Sequence, residues 1–364
     1  MVISSLSAGG AERVLVLLAK GLAALGHRVS VLTIFGTGDD FYPVPNGVGR
    51  DAIDLGKTTR GPIEKISASG KRIFAIRRSL REIQPDVVVS FMPETNVLVL
   101  LASARLKVPV VVTEHADPRK RRMKRVWKGL RRLVYRWASR VVSVSPGVDD
   151  FFAWLPEGKR GVIPNPIELA EIDSPPGEPI VFDWPHTVIA MGRLEPEKGF
   201  DLLIRAFGRL AADFPNWGLV ILGQGTRRGE LESLAAEAGL SRRVRLPGVV
   251  DQPFPTLKRA DLFVLSSRSE GFGNVLVEAM ACGLPVIATE CWSRPPGIVR
   301  HGVDGVLVPA EDVDALAAAM RELMGDDAQR RQFAGKAAES AKRFDLSEIT
   351  RLWVELLDAT ARPG

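Results

Sequence analysis

Short runs of β-branched and aliphatic residues alternate with helical patterns along this chain, and the alternation is played out twice. No other feature constrains the fold as strongly, because a strand–helix–strand rhythm is satisfied by a parallel sheet with helices over its faces. In the first half the expected strands are residues 2–4, 29–34, 86–90, 110–113 and 141–145. In the second they are 187–190, 218–222, 244–246, 262–265, 285–288 and 306–308. Helices are expected between them, as at 11–25, where Val14, Leu15, Leu18 and Leu22 recur at helical spacing, and at 200–213 and 229–238. A length of 364 residues suits two domains. Their boundary is expected at Ile163-Pro164-Asn165-Pro166 and the proline-rich stretch 174–185, since proline suits a linker and not a central strand. The chain therefore reads as domains 1–166 and 167–345, followed by a closing segment 346–364 that carries an amphipathic helix. The fold class is α/β, with two doubly wound, Rossmann-like parallel-sheet domains facing across a cleft. Ligands of such domains bind at the carboxyl ends of the strands.

Cys282 and Cys291 are the only cysteines, so a disulfide framework and a cysteine-rich metal site are excluded and a reducing compartment is favoured. The first residues run directly into a strand pattern with no leader-like segment, and no apolar run approaches the roughly 18 residues needed to cross a bilayer. A cytoplasmic protein is expected, unless something holds it to a surface. The net charge of +6 is local. Residues 119–140 hold 11 lysines and arginines and no acid, and outside them 38 basic residues face 43 acidic ones. Wound as a helix, Met123, Val126, Trp127, Leu130, Leu133, Val134 and Trp137 would gather on one side. A basic amphipathic helix with tryptophans suits an anionic membrane surface. The contact residues would be Arg121, Arg122, Lys124, Arg125, Trp127, Lys128, Arg131 and Arg132. Two other readings stay open, a solvated helix with its stripe on the core and a nucleic-acid patch. Nothing else in the chain looks like a nucleic-acid module, and no such partner is expected.

The chemistry concentrates in strand-to-helix turns. Ser269-Glu270-Gly271-Phe272-Gly273-Asn274-Val275 follows an expected strand and opens a helix expected to end at Gly283. Glycines at 271 and 273 let backbone amides approach a ligand, and Asn274 is the expected N-cap. Such a helix start is a seat for phosphate. Glu270 before it and Glu278 just inside the helix can accept hydrogen bonds from hydroxyls on either side of a bound diphosphate, a sugar and a ribose. Gly192-Arg193-Leu194-Glu195-Pro196-Glu197-Lys198-Gly199 is a second such turn. Arg193 offers a planar fork for phosphate oxygens and Lys198 a point charge, so a departing diphosphate is neutralised with no metal. The third is Ser7-Ala8-Gly9-Gly10-Ala11-Glu12. Asp312-Val313-Asp314 imitates a metal-binding pattern but sits where a helix begins, and an N-cap is expected there. Gly223-Gln224-Gly225 invites a dinucleotide reading, yet such a pair is weak alone.

Glu270 and Glu278 with seven residues between them, the Gly192-Arg193…Lys198-Gly199 run, Gly9-Gly10-Ala11-Glu12 and Thr113-Glu114-His115 together resemble the retaining glycosyltransferases of family four, which have the GT-B fold. The resemblance covers nearly the whole chain, with the motifs in the family's order. It implies that Arg193 and Lys198 hold the diphosphate, Glu270 contacts the donor sugar and Glu278 the ribose. His115 would lie beside the reacting sugar, and Gly9 and Gly10 would line the donor–acceptor junction. The 271–275 turn (Gly271, Phe272, Gly273, Asn274, Val275) would be the donor seat. It also implies retention of configuration, no metal or cofactor, and a last helix crossing back onto an acceptor-side N-terminal domain while 167–345 binds the nucleotide-sugar. Two departures stand out. Relatives commonly begin a few residues earlier, and Pro295-Pro296-Gly297 stands where many carry a glutamate before the Ile298 position.

The expected activity is transfer of a hexose or N-acetylhexosamine from a nucleotide diphosphate-sugar, UDP-linked, to a saccharide or lipid-linked glycolipid acceptor in surface glycan synthesis. The expected location is peripheral, on the inner face of the cytoplasmic membrane. Two rivals are weighed against it. An NAD-dependent nucleotide-sugar epimerase or dehydrogenase needs a tyrosine with lysine four residues on, but Tyr42 and Tyr135 are followed there by Asn46 and Ser139. A non-catalytic membrane-recruitment protein would not need the motif residues, all of which are present.

Overall fold

Runs such as Val88–Phe91 and Val110–Glu114 are buried along their whole length, as strands must be when helices cover both faces of a parallel sheet. In the computed structural model, which describes residues 1–56, 62–120, 123–173, 177–291 and 297–361, the chain divides into two compact units. One comprises residues 1–166 and 346–364, the other 167–345.

The first unit holds β1 (Val2–Ile3), β2 (Ser30–Thr33), β3 (Gly49–Ala52), β4 (Val88–Phe91), β5 (Val110–Glu114), β6 (Arg140–Ser143) and β7 (Arg160–Val162). They form one parallel sheet in the order β3-β2-β1-β4-β5-β6-β7. The second unit holds β8 (His186–Met191), β9 (Trp217–Leu222), β10 (Val244–Gly248), β11 (Leu262–Leu265), β12 (Val286–Glu290) and β13 (Val306–Pro309). These are also parallel, in the order β10-β9-β8-β11-β12-β13. Both sheets reverse their winding direction once, beside β1 in the first and beside β8 in the second.

The sequence pattern misses β3 and β7. Both are edge strands, and β3 is largely exposed, so neither needs the apolar run that marks a central strand. It also stops β10 short. That strand continues through Pro247, which an edge position tolerates, with a register shift between Arg245 and Gly248.

The helix Leu346–Ala361 joins the core of the first unit through Ile349 and Trp353, among Val14, Leu15, Leu18 and Val31. It reaches that depth because Gly21, within the helix Gly10–Ala24, has no side chain. A Cβ there would fall under 3.0 Å from the Thr350 hydroxyl, whose own rotation is tied to the Leu346 carbonyl at 2.6 Å. Helix propensity alone says that Gly21→Ala stabilises by about 1 kcal/mol. Packing says the reverse, and overfilling such a contact costs about 1–3 kcal/mol. Gly21→Ala is therefore expected to lower the thermal midpoint, and an unchanged or raised midpoint would refute this account of the docking.

Candidate functional site

In the second unit the two loops carrying most of the expected site residues leave β8 and β11, adjacent strands at the point where the sheet reverses its winding. Crevices at such points are where open α/β sheets bind ligands. The loop after β8 turns through a short 3-10 segment, Pro196–Lys198, and Gly199 then starts the helix Phe200–Leu210. Gly199 is left-handed (φ +63°), and a Cβ there would run into the carbonyl of Ser266 on the neighbouring loop. Only glycine allows the loops to lie so close. Ser266 Oγ donates back to the Lys198 carbonyl at 3.0 Å, and the Arg268 amide donates to the Glu197 carbonyl at 2.8 Å.

This contact brings Lys198 and Glu270 together. Lys198 Nζ donates to Glu270 Oε1 at 2.6 Å, and Ser267 Oγ donates to the same oxygen at 2.7 Å. Four residues after Glu270, the helix Asn274–Ala281 begins. Its cap is Gly273, left-handed at φ +100°, and not Asn274, which is the first helical residue. The expected side-chain cap is thus replaced by a glycine with no side chain to lay over the helix start. Phe272, expected at the donor seat, is buried and meets Phe344 edge-on at 5.5 Å, so it anchors the turn from behind. Val275 and Gly271 are half-buried on the turn, and Glu278 is buried one turn into the helix. Arg193 is not turned inward. Its side chain is 73% exposed and pairs with Glu197 at 2.8 Å.

The Gly223-Gln224-Gly225 pair serves packing. Side chains at 223 and 225 would strike the backbone of Gly192 and Leu194, and the Leu194 amide donates to the Gln224 carbonyl at 2.9 Å. These glycines back the loop after β8. Asp312 caps the helix Val313–Gly325 by accepting from the Ala315 amide at 2.9 Å.

In the first unit, Gly9 is the N-cap of the helix Gly10–Ala24, and Gly10 is its exposed first residue. The buried Glu12 folds its carboxylate over Gly9, where a Cβ would collide with it. His115 follows β5, stacked on Phe91 of β4 at 5.3 Å and 12°. Its Nε2 is 2.9 Å from Thr113 Oγ1 and its Nδ1 3.2 Å from Asn165 Oδ1. Thr113 donates to the Ser90 carbonyl, so it is satisfied as the acceptor of a proton on Nε2. The Asn165 Oδ1 is likewise an acceptor, so the single proton of the neutral ring serves either Thr113 from Nε2 or Asn165 from Nδ1. Both ring nitrogens are occupied, and burial pushes the imidazole down to about 4 against the opposing Asn165 bond. Asn165, between two prolines, read as linker in the sequence.

The basic segment corrects two expectations. Arg131 is 4% exposed, 4.0 Å from the Glu114 carboxylate, with its guanidinium over Phe151 at 4.8 Å and Phe152 at 5.6 Å. Glu114 also accepts from Tyr135 at 2.5 Å, and Asn96 donates to Tyr135 at 3.0 Å. Arg131 is part of this buried network and not of the surface. The apolar residues do not share one side either. Val134 is fully buried and Trp127 half-buried, while Val126, Leu133 and Trp137 are 71%, 57% and 53% exposed. Lys124, Arg125, Lys128 and Arg132 are exposed beside them, and Arg132 stacks over Trp154 at 5.2 Å. Arg121 and Arg122 lie outside the described residues.

Residues 8–171 match the family model described as Glycosyltransferase Family 4, and residues 181–340 match that of Glycosyl transferases group 1. The chain is 28% identical over 357 residues to the GalNAc-alpha-(1->4)-GalNAc-alpha-(1->3)-diNAcBac-PP-undecaprenol alpha-1,4-N-acetyl-D-galactosaminyltransferase of Campylobacter jejuni, covering 98% of this chain and 97% of that protein. It is 28% identical to the phosphatidyl-myo-inositol mannosyltransferase of Mycolicibacterium smegmatis, covering 98% and 92%. The sucrose-phosphate synthase structure from Thermosynechococcus elongatus superposes with a TM-score of 0.80 at 23% identity, covering 98% and 96%.

Because His115 is less basic folded than unfolded, the unfolded chain binds the extra proton between its ordinary value of 6.5 and about 4. Its contribution, up to about 3 kcal/mol, is complete above pH 6.5 and is lost as pH falls towards 4. The ring protons of His115 should not titrate in NMR spectra between pH 8 and 5; a midpoint above 6 would refute the desolvated, neutral assignment.

Proposed function

Since the chain is a family 4 glycosyltransferase with the GT-B fold, we propose that it moves a hexose or N-acetylhexosamine from a UDP-sugar to a lipid-linked saccharide or glycolipid, with retention of configuration and without a metal. The observation that carries this reading is the Lys198–Glu270 pair on adjoining loops at the sheet's reversal point, with Glu270 four residues ahead of a helix start whose cap is a glycine. The amides and dipole of that helix start favour a phosphate, and Lys198 supplies a full positive charge beside it. Glu270 accepts from hydroxyls of the donor sugar, and Glu278 from those of the ribose. Arg193 exchanges Glu197 for a phosphate oxygen, a small cost for so exposed a pair.

In the reaction the bond from the anomeric carbon to the diphosphate breaks while one to the acceptor hydroxyl forms on the same face, and the acceptor's proton passes to the departing diphosphate. Lys198, Arg193 and the helix start stabilise the charge that develops on that leaving group. His115, held neutral and stacked on Phe91, offers a fixed ring edge and not a proton-accepting group. The lipid-linked acceptor is supported by the names of the Campylobacter and Mycolicibacterium relatives, whose substrates are a diphospho-undecaprenol glycan and phosphatidyl-myo-inositol.

Membrane contact at the inner face belongs to the same proposal. Among the described residues no helix is long and apolar enough to cross a bilayer. Val126, Leu133 and Trp137, exposed next to Arg125, Lys128 and Arg132, form a surface that inserts shallowly while its cations meet anionic headgroups.

Two outcomes are expected. With a panel of UDP-hexoses and UDP-N-acetylhexosamines and liposomes containing a lipid-linked acceptor, one donor is consumed without added metal, and Glu270→Ala and Lys198→Ala each lower turnover about 100-fold or more; full turnover in both variants would overturn the site. Leu133→Ser with Trp137→Ser should cut sedimentation with anionic vesicles at least tenfold while leaving the thermal midpoint unchanged, and undiminished sedimentation would remove this surface from the proposal.

A further inference from the structure

Neither Lys198 nor Glu270 stands on a regular element able to hold it. Lys198 ends a three-residue 3-10 turn, and Glu270 lies in a loop between β11 and the helix Asn274–Ala281. The fastening comes from Arg268. Its guanidinium donates to both carboxylate oxygens of Asp201, at 2.8 and 2.7 Å, and to the Pro196 carbonyl at 2.9 Å, while its Nε reaches Glu311 at 3.1 Å. Asp201 sits in the first turn of the helix Phe200–Leu210, three residues past Lys198, and has Arg227 3.6 Å away on its other side. Burial alone would raise the Asp201 carboxyl, yet the Arg268 guanidinium, with Arg227 beside it, holds it below its ordinary value. One arginine thus ties the loop after β11 to both the loop after β8 and the helix that follows it. A paired, planar fork fixes direction as well as distance, which a lysine cannot do.

We propose that Arg268 and Asp201 are positioning residues, a clamp that keeps Lys198 and Glu270 in the relative placement a nucleotide-sugar requires. This rests on the donor-binding role given above to Lys198 and Glu270. The clamp touches no substrate and acts through the two loops. Displacing a binding group by about 1 Å can cost about 100-fold in rate, so loss of the fork should appear in affinity and turnover well before it appears in folding.

The test uses the full chain with UDP as the binding probe and hydrolysis of the preferred UDP-sugar as the rate. Arg268→Gln and Asp201→Asn are each compared with Arg268→Lys, with Lys198→Ala and with the parent protein. Arg268→Gln should weaken UDP binding about tenfold and slow hydrolysis about 100-fold, with faster amide exchange at residues 197–199 and a thermal midpoint close to the parent's. Arg268→Lys, which keeps the charge and loses the fork, should recover only part of the rate. If Arg268→Gln fails to fold, Asp201→Asn must reproduce the same losses. Parent-like UDP affinity and hydrolysis in a folded clamp variant, alongside an impaired Lys198→Ala, would overturn the clamp alone. A parent protein that binds no UDP and turns over no donor would overturn the proposed function, and the clamp's role with it.

Discussion

The close approach of Gly199 to the Ser266 carbonyl is the contact on which the candidate site depends. Two parallel strands, β8 and β11, bring their loops to the same end of the sheet, but the spacing of paired strands, about 4.8 Å, does not by itself bring two side chains within hydrogen-bond range. That requires the loop backbones to touch. Gly199 permits the contact, the bonds from Ser266 and the Arg268 amide lock it, and the Lys198–Glu270 pair follows as a result. Behind the first loop, Gly223 and Gly225 repeat the device against Gly192 and Leu194. A second-unit site is thus assembled by omitting side chains at three places.

The fold was legible because its central strands are buried on both faces. A run such as Val110–Glu114 leaves no other reading once helical patterns flank it. The edges were not, because β3 and β7 keep much of their surface in water and carry no such run. The same division holds for the site. Residue types in strand-to-helix turns pointed to Lys198 and Glu270, but no local pattern revealed that Arg268 binds Asp201 67 residues away, or that Asn165 between prolines holds His115. Those are pairings across the sequence, which periodicity cannot see. Asn274 was misread for a different reason. Its chemistry suits a cap, but the backbone before it turns left-handed at Gly273, and the cap moves back by one.

Charge density was a poor guide to which arginines face outward. Within one short basic segment the exposed Arg132 lies over the half-buried ring of Trp154, while its neighbour Arg131 is enclosed by Phe151, Phe152 and Glu114. A buried guanidinium must be paired, and the acidic partner lies far away in sequence on β5. The apolar residues divide in the same way, with Val134 serving the core and Leu133 facing out. The segment is therefore both a structural wedge and a surface, and its two functions interleave residue by residue.

Glu12 has one more effect. Its carboxylate, folded over Gly9, fills with the protein's own negative charge the positive pole of the helix Gly10–Ala24. The corresponding pole in the other unit, at Gly273, has no side-chain carboxylate as its cap. Two halves of like architecture thus begin these helices differently, one beneath a carboxylate from its own first turn and one behind a left-handed glycine.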